Sequence, residues 1–164
     1  MPANLRIPLV IASIALAGVA AAGAQTRTAT FNVAIAGTAK LTLSPASIAF
    51  PDSDPTAVPL VAAQPGPVTV TVKARATHNA TVRLTLRATD NLRSGVVTIP
   101  ASAVSWTATG AGFAGGTLSL TAQTVGSWVG SGARTGTQSF VFANSWSYAV
   151  GTYTLSMQYT VSSP

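Results

Sequence analysis

The chain has no cysteine, no glutamate and a single histidine, and its 164 residues hold three carboxylates, Asp52, Asp54 and Asp90. These shortages exclude a good deal of chemistry. Without thiols there is no disulfide framework, no cysteine nucleophile and no Cys/His metal site. Acid–base catalysis usually needs two positioned titratable groups, and only His78 and the three aspartates are on offer. His78 sits in Thr77-His78-Asn79, a strand connection where a polar residue is ordinary. Asp52-Ser53-Asp54-Pro55 is thin provision for a calcium ion, which takes roughly six to eight oxygen ligands, and Asx-turn chemistry beside proline accounts for it equally well. Asp90-Asn91 reads as a turn. A Gly-x-Ser-x-Gly elbow is missing, and its nearest approximation, Gly130-Ser131-Gly132, reads as a loop. The expectation is a protein that is not an enzyme, with no catalytic residue, cofactor or metal.

What is present begins with a leader. Arg6 precedes the apolar run 7–20, and Ala22-Gly23-Ala24 supplies the small residues a signal peptidase requires. The run is shorter than the ~20 residues that span a bilayer. Residues 1–24 are therefore predicted to be a signal peptide, with Gln25 opening the mature chain. No cysteine follows to carry a lipid, so no stable membrane anchor is expected after cleavage. The predicted location is outside the cytoplasm: periplasm, cell surface or extracellular space. Removing 24 of 164 residues leaves 140, the size of one domain, 25–164. The formal charge of +6 loses Arg6 and becomes +5, which permits anionic partners.

Beyond the leader the pattern has period two. Phe31, Val33 and Ile35 alternate with polar or small residues, and Leu41 and Leu43 continue the pattern until Ser44-Pro45. Residues 51–67 read as a Pro- and Asp-rich connection with a short edge strand near Val58–Val61. The clearest signal follows. Val68, Val70, Val72 and Ala74 take one face against Thr69, Thr71, Lys73 and Arg75; Val82, Leu84 and Leu86 then repeat it against Thr81, Arg83, Thr85 and Arg87. Pairing these runs as a hairpin with a three-residue loop sets Lys73 opposite Arg83, a like-charge pair that is unfavourable. Separate sheets avoid it. Further strands are expected at 96–99, 103–107, 117–120, 125–129, 139–143 and 152–161, with 130–136 as a loop. Eight or nine short strands with frequent turns predict an all-β, antiparallel, immunoglobulin-like sandwich.

Gly151-Thr152-Tyr153-Thr154-Leu155 resembles the Gly-x-Tyr-x-Cys pattern of immunoglobulin-type domains, with leucine in the cysteine position. It implies a tyrosine corner, in which the hydroxyl returns to nearby loop backbone, and Trp106 or Trp146 as the buried indole. The segment 68–90 with Ile99-Pro100-Ala101-Ser102-Ala103-Val104-Ser105-Trp106, and the terminal run 148–153 with Tyr159-Thr160-Val161, resemble secreted bacterial β-sandwich surface proteins. Residues 30–50 are similar to exported pilin-type subunits of the spore-coat-protein-U kind and to WxL-type surface modules. The chain departs from the first in lacking cysteines. It departs from the second because Trp106-Thr107-Ala108 and Trp128-Val129-Gly130 lack the leucine. The resemblance implies a surface or matrix protein and transfers no binding residue.

Two functional classes follow. One is a secreted structural or adhesive subunit, pilin-like, that assembles with itself or with other surface proteins. Phe31, Val33 and Ile35 are its candidates for a strand exchanged between subunits. The alternative is an exported binding module for an anionic polysaccharide or other glycan. Its candidate residues are the basic Lys73, Arg75, Arg83 and Arg87, together with Trp128, whose glycine neighbours suggest an exposed, sugar-stacking indole. Nucleic acid is not an expected partner, because export separates the two and no aromatics interleave the basic residues.

Overall fold

The computed structural model describes residues 30–163. The predicted leader, 1–24, lies outside the described residues. The chain divides into two units, Met1–Ala34 and Ile35–Pro164. Of the first, only residues 30–34 are described. They carry no helix or strand and are fully exposed.

In the second unit the two strongest alternating runs become strands, β3 (Val68–Arg75) and β4 (Thr81–Ala88). Their aliphatic faces are buried and their polar faces solvated, as period two demands. Asn79, in a left-handed conformation at φ 63°, turns the chain between them. They enter different sheets. β3 lies between β1 (Thr38–Ser44) and β10 (Gly132–Ala143), whose other side carries β7 (Val104–Thr109) and then β8 (Gly116–Thr117); β2 (Leu60–Ala62) joins the far end of β10. β4 lies between β9 (Gln123–Val129) and β11 (Met157–Ser162). A small ribbon, β5 (Leu92–Ser94) with β6 (Val97–Ile99), completes the set, and every pairing is antiparallel.

Charge repulsion alone did not decide the separation of β3 from β4. The register of β1 sets Lys40 directly opposite Lys73, so a like-charge pair is tolerated there. The deciding term is burial. In separate sheets Val70 and Val72 share one core with Leu84 and Leu86, all at most 1% exposed. Each such side chain contributes about 1.5–3 kcal/mol. Trp106, Phe140, Val125 and Leu118 fill the same core.

Three expectations are corrected. The described residues form eleven strands rather than eight or nine, several of only two or three residues. Residues 130–136 are not a loop throughout, because β10 starts at Gly132 and pairs with β3 from there. Gly136 belongs to packing rather than turning: a Cβ there would lie 2.4 Å from the Thr109 carbonyl and 2.5 Å from the Phe113 ring. The strand expected through Phe31, Val33 and Ile35 is absent, and pairing begins at Thr38.

Candidate functional site

β1 and β11 are edge strands that approach each other on one side of the core. Their inward residues differ from those of the interior strands. Leu41 and Leu43 on β1, and Met157, Tyr159 and Val161 on β11, pack on the core yet remain half-buried. Among the described residues only β3 pairs with β1 and only β4 with β11. The free edge of β11 therefore presents unpaired backbone groups beside a partly wetted apolar row. That is the template an added strand uses.

Local structure sets β11 in place. The Tyr153 hydroxyl donates to the Ala149 carbonyl at 2.9 Å, the return to nearby backbone that the Gly-x-Tyr pattern implied. Thr154 then bridges Arg93 by paired backbone bonds of 3.0 Å before β11 aligns Met157 with Ala88. At the other end the Ser163 hydroxyl donates to the Arg75 carbonyl at 3.3 Å, tying the end of β11 to β3. Tyr159 donates to the Gln138 side-chain oxygen beneath the row, and burial raises the Tyr159 phenol above its ordinary range.

The unpaired segment 30–37 ahead of β1 forms an arm whose Phe31, Val33 and Ile35 are 89, 82 and 71% exposed. Their three alternating apolar positions equal in number the three on β11, Met157, Tyr159 and Val161.

The four basic candidates do not form one face. Lys73 and Arg75 project from β3, in the sheet that also holds Lys40; Arg83 and Arg87 project from β4, in the other. The Arg87 guanidinium donates to the Gln158 side-chain oxygen at 2.7 Å. The one ion pair among the described residues joins Arg93 to Asp90. There the Arg93 guanidinium, followed by the Asn91 backbone N–H, holds the Asp90 carboxyl below its usual range. Asp54 turns its carboxylate onto the backbone N–H of Thr56 at 2.7 Å, the Asx-turn alternative to a metal ligand.

Trp128 is a correction. It is 8% exposed, donates from Nε1 to the Ala111 carbonyl at 2.7 Å and stacks edge-on with Phe113 at 4.9 Å. Of the glycine neighbours that suggested exposure, Gly126 makes room for the indole instead, since a Cβ there would lie 2.4 Å from it; the distant Gly112 does the same at 2.3 Å. Trp106 is likewise buried, whereas Trp146 is 72% exposed, with its Nε1 bonded to the Thr56 hydroxyl at 3.0 Å. Sequence reasoning passed over Lys40, although the alternation through Leu41 and Leu43 places it on the polar face of β1. Among the described residues no helix is long and apolar enough to cross a membrane. No family model matches the chain, and no curated protein is similar to it.

Proposed function

We propose that this protein is a secreted, non-enzymatic structural subunit that assembles at the cell surface or in an extracellular matrix by lending its arm to a second copy. The observation that carries the reading is the free edge of β11 with its half-buried row Met157, Tyr159 and Val161. The strand order supports an immunoglobulin-like sandwich. β1, β3, β10 and β7 correspond to the four-strand sheet of that fold, and β4 with β11 to the start of the other; the place of its last strand is the free edge. An arm carrying Phe31, Val33 and Ile35 fits that place. Its alternate residues face inward with the period of β11, and its backbone supplies the missing ladder.

Light scattering and electron microscopy of the purified protein test this. Wild type forms concentration-dependent oligomers, whereas F31D/V33D/I35D stays monomeric with an unchanged circular dichroism spectrum, since all three side chains are exposed. The chain has no cysteine, so mixing Val33→Cys protein with Val161→Cys protein gives a clean second readout. Disulfide-linked heterodimers support exchange. A monomeric wild type that forms no such link overturns it.

A further inference from the structure

The outer face of the larger sheet carries a feature that strand exchange does not use. Lys40 on β1 stands opposite Lys73 on β3, and the next outward position of β3 is Arg75. Directly opposed Cβ atoms lie about 4.5–5.5 Å apart, and outward neighbours along a strand about 6.6 Å. The Cβ atoms of the three basic residues thus fall within roughly 9 Å of one another by these spacings. Asp90, the ion-paired acid, bonds Arg93, and among the described residues none of the three cations has a side-chain carboxylate within ion-pair distance. They line an open groove of about 570 Å³ whose remaining wall is Thr38, Ala74, Ser131, Gly132 and Ala133.

The face continues from the groove as ordered hydroxyl rows. Thr42, Thr71 and Thr135 align across β1, β3 and β10; Ser44, Thr69, Thr137 and Thr109 form the next row, extending to β7. The Thr71 and Thr135 hydroxyls are 3.2 Å apart, and those of Thr109 and Thr137 2.6 Å. These contacts fix the side chains and leave further acceptor and donor capacity facing outward.

We propose that this face binds a linear anionic polysaccharide, its carboxylate or sulfate groups on Lys40, Lys73 and Arg75 and its sugar hydroxyls along the threonine rows. Uncompensated like charges held in register are relieved by an oxyanion between them. The rows leading away from the groove suit a chain with many hydroxyls. A protein partner is disfavoured because the patch has no aromatic or aliphatic anchor at its centre. A bilayer is disfavoured because nothing apolar flanks the cations to enter it. The site does not depend on strand exchange, since none of its residues belongs to the arm or to β11.

Affinity electrophoresis through gels containing polygalacturonate, dextran sulfate or neutral dextran tests the proposal. Wild type is retarded by at least one of the two polyanions and not by neutral dextran, and raising salt from 50 to 300 mM weakens retardation about tenfold, as screening requires. K73Q/R75Q weakens it about tenfold or more, and Lys40→Gln by several-fold. R83Q/R87Q, with the same change in net charge on the other sheet, weakens it less than about twofold. Equal losses in the two double variants reduce the effect to net charge and overturn the site. Absence of retardation in both polyanions overturns it too, as does inorganic phosphate binding as tightly as the polymers. Persistence of binding in F31D/V33D/I35D keeps this result separate from the fate of strand exchange.

Discussion

Tyr159 reaches from β11 across the core to donate its hydroxyl to the side-chain oxygen of Gln138 on β10, and the Gln138 amide nitrogen, fully buried, has no partner among the described residues. The pair joins the two sheets by one hydrogen bond and leaves the amide's two N–H donors unmet. Tyr159→Phe should therefore cost about 1–3 kcal/mol, because it strands the buried Gln138 oxygen as well. Replacing both partners, Q138L/Y159F, should recover most of that loss or exceed wild type, since two apolar groups leave nothing unsatisfied. Urea denaturation of the two single variants and the double variant measures the coupling.

The same phenol makes stability depend on alkaline pH. Burial raises its pKa in the folded chain, whereas the unfolded chain keeps the ordinary value of about 10. The unfolded state then loses its proton first. Stability is fully present below pH ~10 and falls as pH rises beyond it towards the folded value. Denaturation curves from pH 8 to 11 should show this decline in wild type and a shallower one in Tyr159→Phe. At the acid end the sign reverses for Asp90, whose lowered pKa favours the fold at higher pH and whose contribution fades as pH falls.

Trp128 should behave as a core residue. Trp128→Ala is expected to destabilise by about 3–5 kcal/mol. Gly126→Ala should destabilise as well, because the added Cβ meets the indole at 2.4 Å. Iodide should quench the emission of Trp146, 72% exposed, and leave Trp106 and Trp128 nearly untouched. A Trp146→Phe variant that loses the quenched fraction settles the assignment.

The sequence disclosed the elements whose apolar face is unambiguous. Val68 to Ala74 and Val82 to Leu86 alternate without interruption, so their burial and their membership of one core follow from period two alone. It misled where the glycines of 130–136 were read as a loop: Gly132 and Gly136 sit inside β10, and Gly136 does so against the Phe113 ring, a reason that exists only once distant strands have packed. The basic residues were visible, but the sequence grouped them wrongly. Which sheet each strand joins is a long-range outcome, and it parts Arg83 and Arg87 from Lys73 and Arg75 while bringing in Lys40. Phe31, Val33 and Ile35 were recognisable as an apolar alternation, but nothing local could announce that they lie unpaired.

The opposition of Lys40 and Lys73 gives a last prediction that separates a binding site from a merely solvated surface. Like charges directly across an antiparallel pair disfavour the fold by a few tenths of a kcal/mol. Lys40→Gln should therefore raise the melting temperature by about 1–2 °C in dilute buffer. Added salt should erase the gain, because exposed charges are screened within about 10 Å at 0.1 M. In saturating polyanion the order should invert, since the ligand stabilises whichever protein binds it more tightly. Scanning calorimetry of both proteins, with and without the polymer, reads all three states. If the variant is no more stable at low salt and no less stable with polymer, the two lysines are independent solvated charges rather than halves of one site.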